Sequence, residues 1–194
     1  MSIVRTITPT PSGVRIKLYD RGFLVDIYKG ATTATEPPSS YHQYLGSVIV
    51  PTIDLRGVWG SSTPPYPSTL WTVIGGLDDA PSWAKQLGCP LINWSFVYRG
   101  WVYIPATGTW TVEAYSDDGI RVYIDGAKVI DNYTFHGPTL NTATVTLTQG
   151  FHSMKVVYFE GAGQWVCIVG LKMGSYMLTP VAITNTDIYP APTI

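Results

Sequence analysis

Charged side chains are scarce in this chain of 194 residues. Lys, Arg, Asp and Glu together make up 13% of it, about half the usual share of roughly 25%. The net charge is −1, and no cluster of Lys and Arg occurs anywhere in the sequence. Nucleic-acid binding needs such a cluster to neutralise phosphates, so we expect no nucleic-acid partner. A surface built from Thr, Ser, Asn and Tyr instead indicates a protein outside the cell, or one covered by neighbouring subunits.

Long apolar runs are also missing. No stretch approaches the ~20 apolar residues of a transmembrane helix, so membrane insertion is not expected. The first residues, MSIVRTITPTPSG, lack the apolar stretch of a secretory signal. We therefore expect a mature or trimmed module, or a protein that leaves the cell by another route such as virion release. Either case predicts an extracellular or virion-surface location.

Cysteine is nearly absent, with only Cys89 and Cys167 present. A disulfide between them would close a long loop and contribute about 4 kcal/mol in the chain-entropy model. Cys167 lies in the apolar run Trp165–Val169, where cysteine often behaves as a small hydrophobic residue. The sequence leaves a disulfide and a pair of buried thiols as alternatives. Two Cys and three scattered His have no zinc-binding spacing.

Alternating apolar and polar residues dominate what is present. The alternation runs through Trp110–Ala114, Ile120–Ile124 and Val145–Leu147. A period of two indicates strands with one buried face, and Gly-containing turns separate these segments. Hydrophobic residues make up 45% of the chain, which is enough for a sizeable core. The sequence therefore predicts an all-β fold, an antiparallel β-sandwich.

Two local elements are predicted before this region. Val14–Tyr19 and Phe23–Tyr28 are strand-like segments around a short turn, which predicts a hairpin. One short helix is expected near residues 80–87. Asp79 is a suitable N-cap, Ser82–Leu87 would form the helix, and Gly88 fits just past its end.

Four segments resemble the PA14 domain family and occur in that family's order. They are Gly100–Pro105 with Gly108–Val112, then Ser116–Asp131 (SDDGIRVYIDGAKVID), Val145–His152 and Val156–Gly163. The resemblance covers Gly100–Met173 and implies a PA14-like β-sandwich. We place this domain at residues 13–174, with an N-terminal extended arm at 1–12 and a C-terminal extended tail at 175–194. We expect neighbouring subunits to hold these Thr- and Pro-rich ends.

The resemblance also implies a Ca²⁺ site. Asp117 and Asp118 match the paired aspartates that, in the branch including yeast adhesins, are joined by a cis peptide bond. Those aspartates bind Ca²⁺, which then coordinates sugar hydroxyls. Glu160 and the carbonyl of Ala162 are further candidate ligands from the opposing loop. Adjacent carboxylates concentrate negative charge, which a hard cation with oxygen ligands neutralises well.

Tyr115 and Trp165 are candidates for stacking on a sugar face. The sequence has Glu160 where the sugar-binding adhesins carry Asn, and no segment corresponds to their additional sugar-contacting loop. The turn at Asp117, Asp118 and Gly119 also fits a plain hairpin, because Asp-Gly is a strong turn dipeptide.

These observations predict a non-catalytic surface recognition module with Ca²⁺-dependent binding to a cell-surface glycan or glycoprotein. We expect it on a multi-subunit extracellular assembly such as a virion, as a homo-oligomer or beside other virion subunits. The alternative is a purely structural capsid, turret or decoration protein that uses the sandwich as a scaffold. A glycosidase needs two carboxylates about 5–9.5 Å apart across a cleft. The adjacent Asp117 and Asp118 are a poor pair for this, so no enzymatic activity is expected.

Overall fold

The computed structural model describes residues 5–7, 16–18, 22–50, 53–55, 79–174, 176–178 and 188–190. Within these residues the chain forms fourteen strands and one short helix. In chain order they are β1 (Arg5–Ile7), β2 (Ile16–Leu18), β3 (Phe23–Lys29), β4 (Gln43–Val50), β5 (Asp54–Leu55), α1 (Ser82–Lys85), β6 (Trp94–Ile104), β7 (Gly108–Asp117), β8 (Ile120–Ile124), β9 (Ala127–Asn132), β10 (Thr139–Leu147), β11 (Gly150–Glu160), β12 (Val166–Met173), β13 (Tyr176–Leu178) and β14 (Ile188–Pro190).

Two antiparallel sheets build a sandwich. The larger sheet has the order β4-β3-β6-β11-β8-β9, with β14 paired to β6. The smaller has the order β10-β7-β12-β13, with β5 paired to β12. A separate ribbon consists of β1 and β2. The predicted fold class, an antiparallel β-sandwich with one short helix, is confirmed.

The core lies between the two sheets and follows from the alternation in the sequence. Because successive side chains of a strand point to opposite faces, Ile120, Val122 and Ile124 are buried while Arg121 and Tyr123 between them are half-buried. Burying a large apolar side chain completely contributes roughly 1.5–3 kcal/mol. The largest fully buried apolar side chains of this core are Trp94, Trp110, Tyr98, Tyr158 and Phe96.

The two cysteines are buried thiols that form no disulfide. Cys167 lies on β12 and packs in the core between the sheets. Burial raises the pKa of the Cys89 thiol to about 12. Of the two alternatives that the sequence left open, the structure has the pair of thiols.

The predicted hairpin between the second and third strand segments is wrong. Strand β2 pairs with β1, whereas β3 pairs with β4 on one edge and with β6 on the other. A strand has only two hydrogen-bonding edges, so β3 has no edge left for β2.

The helix is shorter than predicted, and its predicted cap is wrong. Pro81 occupies the N-cap position without a side-chain cap, and the carboxylate of Asp79 accepts a hydrogen bond from Lys85 Nζ at 2.9 Å. Gly88 has a φ of 81° and follows the helix as predicted. Among the described residues, no helix is long and apolar enough to span a membrane. Most of the predicted terminal arm (1–12) and tail (175–194) lies outside the described residues.

Candidate functional site

The two aspartates lie where the chain crosses from one sheet to the other. Asp117 is the last residue of β7 in the smaller sheet, and Ile120 begins β8 in the larger sheet. Glu160 is the last residue of β11, also in the larger sheet. One oxygen from each of Asp117, Asp118 and Glu160 lies within 4.8 Å of the others. The fold therefore brings these three predicted ligands together at one end of the sandwich.

Contacts with β11 hold the turn in place. The peptide bond between Asp117 and Asp118 is cis, as the resemblance implies. The hydroxyl of Tyr158 donates a hydrogen bond to the carbonyl of Asp117, and the N–H of Phe159 donates to the carbonyl of Gly119 at 3.0 Å. A side chain at Gly119 would collide with the Phe159 ring. The SDDG segment fits here because its glycine lets the turn lie against β11.

The carboxylate of Asp118 connects two loops to the turn. Its Oδ1 accepts a hydrogen bond from the N–H of His136 at 2.8 Å, and its Oδ2 accepts one from the N–H of Gly161 at 2.8 Å. These residues belong to the 133–138 loop and the 161–165 loop. A carboxylate has about four lone-pair positions, so Asp118 retains acceptor positions for a cation while it holds both loops.

The three carboxylates are withdrawn from water and repel one another. Asp117, Asp118 and Glu160 have exposed fractions of 8%, 7% and 1%. Burial and the negative charge of Asp118 raise the pKa of Asp117 to about 7, and His136 partly opposes this rise. Burial also raises the pKa of Tyr115, and the charge of Asp117 adds to the effect. The cluster thus concentrates negative charge that a bound cation would neutralise.

The donor set fits a calcium ion. Calcium binds oxygen ligands at 2.3–2.6 Å, so two ligands on opposite sides of one ion are up to about 5 Å apart. The carboxylate oxygens of the cluster lie within 4.8 Å of one another, which is inside that span. Among the described residues, no other group of three or more His, Cys, Asp or Glu side chains comes this close.

The remaining predicted site residues have different surroundings. Ala162 is exposed in the 161–165 loop, beside the Gly161 that donates to Asp118. Tyr115 is buried with apolar residues of β12 on the outer face of the smaller sheet. Trp165 is buried and packs edge-on against Trp94, with ring centroids 6.0 Å apart. Neither ring presents an open face for stacking in this structure.

Sequence reasoning missed the 133–138 loop. Phe135 is exposed on this loop, and the N–H of His136 donates a hydrogen bond to the Asp118 carboxylate. The only signal in the sequence is an aromatic residue and a histidine in a short loop that ends in Gly137 and Pro138. Nothing in that pattern reveals that the loop packs beside Asp118, because the contact depends on how β8 and β9 return the chain to the turn.

Comparison with known families assigns this fold. Residues 85–179 match the PA14 domain model, and a comparison with curated protein sequences found no match. The match to this model assigns residues 85–179 to the PA14 domain family.

Solved structures of several other proteins share the architecture. The PA14 domain of the antifreeze protein MpAFP is similar with a TM-score of 0.63 and 16% identity, over 94% of this chain and 97% of that one. The epithelial adhesin 6 A domain from Candida glabrata, crystallised in complex with Galβ1-3GlcNAc, has a TM-score of 0.54 and 14% identity, over 89% and 88% of the two chains. An anti-sigma factor domain-containing protein from Clostridium clariflavum has a TM-score of 0.65 and 16% identity, over 90% of this chain. The chain spans about half the length of that protein and of a second protein of the same description, 48% and 50%.

Proposed function

We propose that the chain is a non-catalytic carbohydrate-binding module whose ligand binds through Ca²⁺ held by Asp117, Asp118 and Glu160. The carbonyl of Ala162 is proposed as a further ligand. The observation that carries this proposal is the approach of three buried carboxylates to within 4.8 Å at one end of the sandwich. The similarity to an adhesin domain crystallised with a disaccharide supports the choice of ligand class.

In this proposal, each part of the site has its own task. The carboxylates of Asp117 and Glu160 supply negative charge, and their burial makes a cation preferable to water as a partner. The N–H groups of His136 and Gly161 orient Asp118. Bound calcium would offer its remaining coordination positions to the hydroxyl groups of a sugar.

The spacing of the carboxylates supports a binding role over a catalytic one. Oxygens of Asp117, Asp118 and Glu160 lie within 4.8 Å of one another. Glycosidases place their two carboxyl groups on either side of the bond to be cleaved, about 5–9.5 Å apart. A cluster as compact as this one suits a shared ion better than an intervening substrate.

Calcium titration by isothermal calorimetry tests the proposal. We expect one ion per chain for the wild type, and binding that is at least roughly tenfold weaker for Asp118→Asn. Asp131→Asn is the matched control, because Asp131 is an exposed aspartate paired with Arg121 and Lys128. Circular dichroism checks that both variants remain folded. Equal calcium binding by the wild type and Asp118→Asn would contradict this site, and no binding by the wild type would favour a scaffold without a ligand.

We also propose that the module is displayed at an extracellular or virion surface within a multi-subunit assembly. The low charged content of 13% supports this, as do exposed apolar side chains such as Tyr41, Tyr44 and Phe151, which a neighbouring subunit would cover. Cell-surface glycans or glycoproteins would then be the partners of the exposed site. Light scattering at micromolar concentration should show a multimer, and a monodisperse monomer would count against this arrangement.

A further inference from the structure

Phe135 is a large apolar side chain that stays exposed beside the acidic cluster. Its exposed fraction is 57%, although burying such a ring would be favourable. The ring packs edge-on against Phe159, with centroids 5.1 Å apart and an interplanar angle of 71°. Phe159 is itself fully buried and also contacts the ring of Tyr133. Phe135 is therefore anchored by the sheet while much of its surface remains open to solvent.

The Phe135 ring and the Asp118 carboxylate border the same point of the backbone. A Cβ added at Gly161 would lie 2.6 Å from Cε1 of Phe135 and 3.2 Å from Oδ2 of Asp118. The next residue in the loop, His136, donates its N–H to Oδ1 of Asp118. This bond holds the backbone of the loop beside the cluster, and the contact with Phe159 places the Phe135 ring there. An apolar surface and an anionic surface thus lie side by side.

This juxtaposition matches the chemistry of a cyclic sugar. A pyranose carries hydroxyl groups around its edge and C–H groups on its faces, so it needs polar contacts on one side and an apolar contact on the other. Binding sites commonly combine an aromatic wall with a few fixed polar groups for such ligands. An acyclic polyol offers hydroxyl groups but no ring face, and so would use only half of this surface.

We propose that Phe135 is the apolar subsite of the carbohydrate site and selects pyranosides over acyclic polyols. The C–H face of the sugar packs on the Phe135 ring while its hydroxyl edge is bound at the Asp117, Asp118 and Glu160 cluster. This inference rests on the proposed function and adds the substrate class and the residue that determines it. It assigns the apolar contact to a residue outside the pair Tyr115 and Trp165, whose rings are buried.

The test compares Phe135→Ala, Phe135→Tyr and the control Phe151→Ala in the presence of calcium. Phe151 is also an exposed aromatic residue, with an exposed fraction of 52%, and lies at the opposite end of β11 from Glu160. Calorimetry would use three probes (methyl β-galactopyranoside, methyl β-glucopyranoside and methyl α-mannopyranoside) with sorbitol as the acyclic comparison. Saturation-transfer NMR would identify the sugar protons that contact the protein. Separate calcium titrations and thermal melts would check the metal site and the fold.

We expect Phe135→Ala to bind the preferred pyranoside about tenfold more weakly and to lose the saturation of its C–H face. Its calcium affinity should match that of the wild type, as should the sugar affinity of Phe135→Tyr and Phe151→Ala. Unchanged pyranoside binding by Phe135→Ala, or an equal loss in Phe151→Ala, would overturn the subsite and leave the calcium site intact. Wild type that binds calcium but none of the pyranosides would also overturn it. Wild type that binds no calcium would overturn the proposed function itself.

Discussion

At the scale of single residues, the site brings together carboxylates whose charges oppose one another. Asp117, Asp118 and Glu160 are all buried, with oxygens inside 4.8 Å. Two like charges about 4 Å apart repel by roughly 1 kcal/mol in water and about 4 kcal/mol near a protein surface. A divalent cation would convert this repulsion into attraction, which is the physical basis of the proposed calcium site.

Neutralising one of these carboxylates should therefore stabilise the protein without calcium and reduce the further stabilisation that calcium provides. In EDTA at about pH 8, where Asp117 with its pKa of about 7 is charged, Asp117→Asn should raise the free energy of unfolding by on the order of 1 kcal/mol. In saturating calcium, the same variant should gain less stability from the ion than the wild type does. Urea denaturation under both conditions measures the two effects.

Glu113→Gln is the control for this experiment. Glu113 is a half-buried carboxylate earlier on the same strand and lies outside the cluster. Its substitution should change stability equally in EDTA and in calcium. A loss of stability for Asp117→Asn in EDTA would contradict the view that the cluster is strained by its own charge.

At the scale of the elements, the turn between β7 and β8 depends on close packing against β11. A Cβ at Gly119 would run into the Phe159 ring, so Gly119→Ala must displace either the turn or the ring. We expect a loss of about 1–3 kcal/mol in unfolding free energy, measured by chemical denaturation. Gly137→Ala is the matched control, because its Cβ would have no heavy atom within 4 Å. A neutral Gly119→Ala would show that the turn is more adaptable than its contacts indicate.

The imidazole ring of His152 connects two further turns through hydrogen bonds. Its Nδ1 lies 2.5 Å from Oδ2 of Asp125 in the β8–β9 turn, and its Nε2 lies 2.8 Å from the carbonyl of Thr148. Both partners accept hydrogen bonds, so the doubly protonated ring satisfies both. Burial alone would lower the pKa of His152, but the hydrogen bonds to Asp125 and Thr148 and the negative charge of Asp125 together outweigh it and raise the pKa.

This raised pKa gives the stability a defined pH dependence. A base with a raised pKa in the folded state stabilises the protein fully below its unfolded pKa of about 6.5, and this contribution is lost as the pH rises through the folded value. His152→Gln should therefore destabilise the protein more at about pH 5.5 than at about pH 9, as measured by urea denaturation. His42→Gln should show the opposite trend, because burial lowers the pKa of His42. An equal loss for His152→Gln at both pH values would contradict this role.

The elements also show what a sequence can and cannot predict. The alternation at Ile120, Val122 and Ile124 identified a core strand correctly, because period two is a property of the backbone itself. The SDDG turn was also predicted, because its residues are adjacent in the chain and form a local pattern. The cap at Asp79 was wrong because the helix begins at Ser82 and Pro81 occupies the N-cap position. The Asp79 carboxylate accepts a hydrogen bond from Lys85 instead, and the local pattern does not reveal this pairing.

Residues that reach the site from a distance could not be predicted. Phe135 lies beside Asp118 only because β8 and β9 return the chain and Gly161 leaves room for the ring. Likewise, Trp165 is an aromatic residue of the kind that stacks on sugars, but it is buried and packs against Trp94. The burial of an aromatic side chain depends on the whole packing arrangement and not on its neighbours in sequence.

At the scale of the whole molecule, the proposed ion joins the two sheets. Asp117 ends a strand of the smaller sheet and Glu160 ends a strand of the larger one. Calcium that binds only the folded protein stabilises it by mass action, by about 2.7 kcal/mol at a hundredfold excess over Kd. This end of the sandwich should then open less often when calcium is present.

Hydrogen exchange should detect this stabilisation. Transfer from calcium to EDTA should speed amide exchange at His136 and Gly161, because their N–H groups donate hydrogen bonds to the Asp118 carboxylate. The amide of Ser153 is bonded to Asp125 far along β11 from Glu160 and should change less. Identical exchange at His136 and Gly161 in both buffers would contradict a link between the ion and this end of the fold.

The most direct test of the calcium site is a crystal structure from crystals grown with calcium chloride, with anomalous diffraction data. The proposal predicts one anomalous peak at 2.3–2.6 Å from oxygens of Asp117, Asp118 and Glu160. Calcium density elsewhere with water or nothing at this cluster, in crystals containing millimolar calcium, would contradict the proposed site and leave the domain as a scaffold.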